Sequence, residues 1–125
     1  MNNLNICIAG LGNVGSSLVS VIEKNSYFIN KKANINLNIL GISARNKNKK
    51  RIFDTSKYRW CDNPLDLIRL KNCNVLIELI GDEDGVSFDL VKEALENKIN
   101  VITANKALLA KNGLELFKIA EKNQV

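Results

Sequence analysis

Three glycines at fixed spacing form the first candidate site in this chain of 125 residues. Gly10, Gly12 and Gly15 follow an apolar run at residues 4–9 and precede a segment with helical periodicity. In such a turn the first glycine permits the tight bend, the second lets a diphosphate approach the backbone, and the third allows close helix-to-strand packing. The free amides and partial positive charge of the helix N-terminus then bind the anion. A purely structural turn is the alternative, but the position of the motif favours dinucleotide binding.

The end of the second predicted strand carries basic residues where many dinucleotide sites carry an acid. An NAD-preferring site usually places a carboxylate there to bind the ribose hydroxyls. This chain has Ser43, Ala44 and Arg45 instead. A guanidinium binds phosphate in a bidentate manner, so Arg45 favours NADP, with NAD as a second possibility. Further cations follow within reach of an adenosine 2′-phosphate, although a solvated basic loop is an equal alternative for residues 47–50: Lys47, Lys49, Lys50, Arg51 and Lys57.

A third group of polar residues lies between the last predicted strand and the last predicted helix. Thr103, Asn105 and Lys106 occupy the carboxyl end of that strand and the start of the helix. Ligands of open α/β sheets bind beyond the carboxyl ends of the strands, so these side chains are expected at the active cleft. Because the helix dipole disfavours a cation in the first turn, Lys106 is better explained by a ligand-binding or proton-transfer role. A surface lysine is the alternative.

Acidic residues surround the end of the fourth predicted strand. Glu78 interrupts the most apolar strand, where a carboxylate is costly unless it is paired or near the cleft mouth. Asp82, Glu83 and Asp84 follow shortly after it. Their spacing meets no ligand rule for a hard cation, so a solvated loop is expected and no metal site is predicted.

The elements that must position these residues alternate between strand and helix. Apolar runs predict strands at residues 4–9, 35–44, 74–80 and 99–103, and a further short strand is predicted at residues 58–61. Helical spacing predicts helices over 14–24, around 88–95 and over 106–122, the last with Leu109, Leu116 and Ile119 inward; residues 25–34 either extend the first helix or form a loop. Asn63 and Pro64 predict the N-cap and first residue of a short helix reaching Leu70. Strands buried on both faces predict an α/β fold, a doubly wound parallel sheet with helices on both faces.

Composition excludes several classes of function. The absence of histidine removes Cys-His and Ser-His nucleophile pairs, and three well-separated cysteines indicate neither a disulfide framework nor a zinc site. A net charge of +5 suits an anionic partner, but the basic segment lacks a nucleic-acid reading motif, so no nucleic-acid partner is predicted. Neither a signal peptide nor an apolar run of membrane-spanning length is present, which predicts a cytoplasmic protein with no membrane partner.

The motifs together resemble one enzyme family. The glycine motif, the strand ends at residues 41–45 and 75–81, and above all residues 101–110, with the sequence VITANKALLA, resemble homoserine dehydrogenases over essentially the whole chain. The N-terminal domain of that family is a Rossmann-type fold. The resemblance implies reversible hydride transfer between NAD(P)H and aspartate 4-semialdehyde, giving homoserine on the route to threonine and methionine, with no metal needed for the hydride step. It also implies a small-molecule substrate.

The resemblance also assigns roles to residues. Lys106 would be the catalytic lysine, orienting substrate or passing a proton to the nascent alkoxide. Gly81 would let the cofactor approach the fourth strand, and Thr103 and Asn105 would line the nicotinamide side. The full set of expected cofactor-binding residues is Gly10, Leu11, Gly12, Asn13, Val14, Gly15, Ala44, Arg45, Ile80, Gly81, Thr103 and Asn105.

The chain departs from the family in two respects. Asp82 stands where the family often has a second glycine, which affects the local contact with the nicotinamide. The family also continues into a substrate and dimerisation domain, so residues 1–125 are expected to form the dinucleotide-binding domain alone, which binds cofactor but is inactive. The full-length protein would be a homodimer through the other domain. A self-standing NAD(P)-binding regulatory module and another NAD(P)-dependent oxidoreductase remain as alternatives.

Overall fold

A computed structural model describes residues 2–81 and 85–125 of the chain. Its centre is a five-stranded sheet in the order β3-β2-β1-β4-β5, in which every neighbouring pair is parallel. The strands are β1 (Asn2–Ala9), β2 (Ile35–Ser43), β3 (Arg59–Trp60), β4 (Val75–Glu78) and β5 (Asn100–Thr103). The helices are α1 (Asn13–Ala33), α2 (Val86–Glu96) and α3 (Lys106–Asn123). The predicted α/β class and parallel sheet are confirmed.

Both faces of the sheet are covered, as the apolar strands predict. Ile6, Cys7, Ile8 and Ala9 of β1 are all buried, and alternate residues face opposite layers. On one face they pack with the apolar side of α1, and on the other with α2 and a 3-10 helix, Pro64–Arg69. The α3 helix packs against α2 through a third cluster. The doubly wound arrangement follows, because helices on both sides bury a sheet that is apolar on both sides.

The α1 helix takes the longer of its two predicted courses. The polar segment 25–33 continues the helix, which ends where Asn34 adopts the left-handed conformation with φ 52° and its amide donates to the carbonyl of Asn30. The Asn30 side chain in turn accepts from the amide of Leu37 in β2, at 3.1 Å. These contacts fix the end of the helix against the following strand.

Three local predictions need adjustment. Asn63 caps the short helix as predicted, by accepting from the amide of Leu65, but the helix is of the 3-10 type. The fourth strand ends at Glu78, two residues before the predicted Ile80, and the amide of Ile80 donates to the side chain of Glu78 instead of to a neighbouring strand. On α3, Leu108 and Leu116 are buried, whereas the predicted Leu109 and Ile119 are only partly so.

The three cysteines are free thiols and contribute to the core. Cys7 and Cys61 are buried, and Cys73 packs against the same cluster from the turn before β4. All three therefore serve as packing residues. Within residues 2–81 and 85–125, no helix combines the length and apolar character that crossing a bilayer requires.

Candidate cofactor site

The glycine turn after β1 holds three backbone segments in close contact. Gly10 has φ +99°, and a Cβ on it would lie 2.6 Å from the carbonyl carbon and oxygen of Leu79. A Cβ on Gly15 would lie 1.9 Å from the carbonyl oxygen of Gly10. No side chain fits at either position, so Gly10 permits the tight turn beside β4 and Gly15 lets α1 pack directly on that turn.

Gly12 differs from the other two glycines. It is the N-cap of α1, it makes no side-chain capping bond, and a Cβ on it would meet no atom within 4 Å. The first helical hydrogen bond runs from the amide of Ser16 to the carbonyl of Gly12, at 2.9 Å. The first turn of α1 contains no acidic residue. The helix therefore presents backbone amides and a partial positive charge to an open space, a suitable environment for an anion.

That open space is one end of a cleft of about 500 Å³. It lies beyond the carboxyl ends of β1, β2 and β4, where ligands of open α/β sheets bind. Six of the predicted cofactor-binding residues line it: Gly10, Leu11, Gly12, Ala44, Arg45 and Ile80. The other lining residues are Ser43, Asn46, Lys49, Arg51, Asp62, Pro64, Leu79 and Val86.

One wall of the cleft is basic because the loop after β2 carries Arg45 and Lys49, and Arg51 holds that loop in place. Its two terminal nitrogens donate to the carbonyls of Lys49, at 3.1 Å, and Asn46, at 2.7 Å. Its guanidinium also lies 5.4 Å from the centre of the Trp60 ring. Arg51 thereby closes the loop and brings Lys49 to the cleft beside Arg45. The remaining predicted cations, Lys47, Lys50 and Lys57, lie outside the cleft lining, and Lys57 is 3.7 Å from Glu23.

A buried carboxylate lies behind the opposite wall. Glu78, at the end of β4, is 0% exposed. Its Oε1 accepts from the amides of Ile80, at 2.7 Å, and Gly81, at 3.4 Å, and from the hydroxyl of Ser87, at 3.2 Å. Its Oε2 accepts from the hydroxyl of Thr103, at 2.6 Å. This carboxylate therefore joins the turn after β4, the first turn of α2 and the end of β5.

The chain from Thr103 to Lys106 continues this network. The amide of Asn105 donates to the Thr103 hydroxyl oxygen, at 3.0 Å. Asn105 is buried and caps α3 by accepting from the amide of Leu108, at 3.0 Å, while its Nδ2 has no partner among the described residues. Lys106 is the first residue of α3 and is exposed. A cation therefore stands at the positive end of a helix dipole, as the sequence indicates.

The remaining predicted cofactor residues lie around the cleft rather than in its lining. Asn13 and Val14 are exposed at the start of α1, and Gly81 is exposed, with no atom within 4 Å of an added Cβ. Thr103 is linked to Gly81 through Glu78. Gly15, Asn105 and the predicted catalytic Lys106 also lie outside the lining. The acidic run Asp82, Glu83 and Asp84 lies outside the described residues.

Sequence reasoning missed five lining residues: Asn46, Asp62, Pro64, Leu79 and Val86. Asp62 follows β3 and accepts from the indole nitrogen of Trp60, at 2.9 Å. Its position directly after a strand was the available signal, since the carboxyl ends of parallel strands share one edge of the sheet. Val86 begins α2 and is 46% exposed, and nothing in the local pattern identifies it.

The fold and the cleft together define a class of protein. The open helix N-terminus suits a diphosphate, the basic wall suits a phosphorylated ribose, and the length of the cleft across three strand ends suits an extended ligand. These features define an α/β domain that binds a dinucleotide. Residues 10–125 match the family model of the homoserine dehydrogenase NAD-binding domain, so the chain belongs to this family.

Curated relatives agree with this assignment. The chain is 33% identical to a homoserine dehydrogenase of Neisseria gonorrhoeae and 34% identical to one of Pseudomonas aeruginosa, over 125 residues in each case. Both matches cover 100% of this chain but only 28% of the relative. The chain therefore spans under a third of the length of these relatives.

Solved structures show the same relationship. A crystal structure of Staphylococcus aureus homoserine dehydrogenase at pH 7.0 superimposes with a TM-score of 0.91 at 37% identity, covering 100% of this chain and 32% of that one. A hyperthermophilic archaeal homoserine dehydrogenase mutant in complex with NADPH superimposes with a TM-score of 0.75 at 23% identity, covering 98% of this chain and 42% of that one. The second comparison shows the shared fold.

Proposed function

We propose that this chain binds NADP(H) in the cleft, with NAD(H) as the weaker ligand. We further propose that it is the cofactor-binding part of an enzyme that interconverts aspartate 4-semialdehyde and homoserine, on the route to threonine and methionine. The observation that carries the proposal is the uncapped start of α1 at Gly12, which opens into a cleft lined with cations. The family membership of the chain supports the same reaction.

The adenosine side of the ligand is assigned to the basic wall. Arg45 and Lys49 line the cleft just beyond the end of β2, where a ribose-binding carboxylate would otherwise lie. Both are exposed side chains with freedom to meet a phosphate. Arg51 acts differently, because its terminal nitrogens are already bonded to loop carbonyls. We therefore assign phosphate contact to Arg45 and Lys49, and loop organisation to Arg51.

The nicotinamide side is assigned to the ends of β4 and β5. Gly81 offers an open approach, and Thr103 and Asn105 form the adjoining backbone. When bound, the cofactor supplies or accepts the hydride. Lys106 is exposed at the start of α3, where its ammonium group would orient the substrate or donate a proton to the nascent alkoxide. In the oxidation of homoserine, the neutral amine of Lys106 would accept that proton instead.

A titration with two cofactors tests the binding proposal. Fluorescence titration should show NADPH binding in the micromolar range, and NADH binding more weakly. Arg45→Ala should weaken NADPH binding by about tenfold or more, since a hydrogen bond to a charged group contributes about 1.5–3 kcal/mol, and should leave NADH binding unchanged. Lys47→Ala is the matched control, because Lys47 lies outside the lining. Saturation with NADH but not NADPH would contradict the phosphate assignment.

A turnover assay tests whether this chain alone catalyses the proposed reaction. The chain covers 28% of its curated relatives, so we expect it to bind cofactor without oxidising homoserine. Absorbance at the reduced-cofactor band, with homoserine and NADP supplied, measures this directly. Steady-state turnover by residues 1–125 alone would refute the expectation. Homodimer formation by the full-length protein and a cytoplasmic location remain predictions.

A further inference from the structure

We propose that Glu78 is a positioning residue for the nicotinamide half of the cofactor. It would act through two groups that it holds directly, the amide of Gly81 and the hydroxyl of Thr103. The proposal rests on the proposed function, because it assigns the Gly81 and Thr103 side of the site to the nicotinamide. It adds a residue that touches neither cofactor nor substrate and that acts by orienting groups that do.

The surroundings of Glu78 make a purely structural role a poor explanation. The side chain is fully buried, and its described partners are two amides and two hydroxyls, with no cation among them. Burying a carboxylate is costly, and an apolar side chain of similar volume is often as stabilising as a buried charged group. The carboxylate instead fixes the geometry of every group that donates to it.

The hydrogen bonds also fix the direction of the Thr103 hydroxyl. A backbone amide only donates, so the bond from the Asn105 amide occupies a lone pair of the Thr103 oxygen and leaves the hydroxyl proton for Oε2 of Glu78. Thr103 therefore gives its proton to Glu78 and accepts from the amide of Asn105. Because the hydroxyl proton is already bonded to Glu78, Thr103 can offer a ligand only its remaining oxygen lone pair. Glu78 thus makes Thr103 an acceptor on the nicotinamide side.

The same carboxylate aligns the two strand ends that meet there. Its Oε1 holds the amides of Ile80 and Gly81, and its backbone carbonyl accepts from the amide of Ala104, at 3.3 Å. Ile80 lines the cleft directly. The turn after β4 and the start of α3 are therefore held in one arrangement by a single residue. Loosening this link should affect the nicotinamide side and leave the glycine turn and basic wall in place.

Glu78→Gln tests the proposal because the amide keeps the size of the side chain and changes its hydrogen bonding. The amide nitrogen facing Thr103 can only donate, so the Thr103 hydroxyl loses its acceptor. Calorimetric titration of the full 125-residue chain would use two ligands, NADP and 2′-phospho-ADP-ribose, which lacks the nicotinamide. We expect NADP affinity to fall by about tenfold, or about 1.4 kcal/mol, and the affinity for the shorter ligand to stay within about twofold.

Controls separate positioning from general damage. Glu93→Gln removes a carboxylate that pairs with Arg69 on the surface, and it should change neither affinity. Thr103→Val removes the same connection from the β5 side and should reproduce the selective loss. The double variant should be no weaker than the more severe single variant, since residues acting through one contact are not additive. If Glu78→Gln does not fold in thermal unfolding, Glu78→Asp, which keeps the carboxylate but shortens its reach toward Thr103, replaces it in the same two titrations and should show the same selective loss.

Several outcomes would overturn the proposal. An equal loss of both ligands would assign Glu78 a structural role, and an unchanged NADP affinity would assign it no role in binding. Additive effects of the two substitutions would show that Glu78 does not act through Thr103. If the wild-type chain bound neither ligand, the proposed function itself would fail, which is a different result from a selective loss.

Discussion

Replacing Gly12 with serine should separate folding from cofactor binding. Gly12 has φ −71° and ψ −156°, an extended conformation that serine adopts readily, and an added Cβ meets no neighbour within 4 Å. Serine is a preferred N-cap residue, and its hydroxyl oxygen would accept from an amide in the first turn of α1. The gain over glycine is a few tenths of a kcal/mol, or a rise in Tm of about 1–2 °C.

The same substitution should weaken cofactor binding. The serine hydroxyl takes one of the amides that the proposed diphosphate needs, and its atoms fill the space that the diphosphate would approach. A hydrogen bond to a charged group contributes about 1.5–3 kcal/mol, so loss of one such bond lowers affinity by about 10- to 150-fold. Gly12→Ser is therefore expected to be slightly more stable than the wild type and much weaker in binding.

The assay pairs thermal unfolding with NADPH fluorescence titration. Gly15→Ala is the matched control, because its Cβ would lie 1.9 Å from the carbonyl oxygen of Gly10 and must displace α1 from the turn. That clash should destabilise the fold by about 1–3 kcal/mol, as overpacking usually does. Wild-type NADPH affinity in Gly12→Ser would refute the reasoning, since the diphosphate would then bind elsewhere.

Three further predictions concern other contacts. Arg51→Ala should weaken NADPH binding several-fold, because the loop after β2 loses two hydrogen bonds that hold it at the cleft. Arg51→Lys should weaken NADPH binding similarly, since lysine lacks the planar guanidinium that makes both bonds. Titrations that show wild-type affinity in both variants would contradict this. Tyr58→Phe should lower the free energy of unfolding by about 1–2 kcal/mol in urea denaturation, because the phenol, just before β3, donates to Glu23 of α1, and an unchanged midpoint would count against it. Hydrogen bonding with Cys7 lowers the pKa of the Cys73 thiol, so alkylation followed by mass spectrometry should begin at a lower pH at Cys73 than in an unfolded peptide, and Cys7→Ala should remove that difference.

The order and type of the main elements were predictable from local pattern. Continuous apolar runs identify strands buried on both faces, and helical spacing identifies the three helices that cover them. The extent of α1 was not predictable. Residues 25–33 are mostly polar, and the helix is fixed there by a contact between Asn30 and Leu37 of the next strand. Local periodicity contains no information about a bond that forms only when the strand is in place.

One part of the candidate site was predictable from the sequence and another part was not. The glycine turn was predictable because backbone geometry demands glycine at Gly10 and Gly15 whatever the tertiary context. The role of Arg51 was not, because it depends on two carbonyls of its own loop and on the ring of Trp60. In the sequence Arg51 is one cation among several. Only the folded loop distinguishes it from Lys47, which lies outside the lining.

Two residues contradict the local rules of their elements, and their location supports a common explanation. Glu78 puts a carboxylate into a buried strand, and Lys106 puts a cation at the positive end of a helix. Chance departures from such rules would be scattered over the fold. These two lie at the carboxyl edge of neighbouring strands and are connected through the Thr103 hydroxyl and the Asn105 amide. Local rules are broken at functional sites and compensated elsewhere, so this edge is where we expect the proposed reaction to take place.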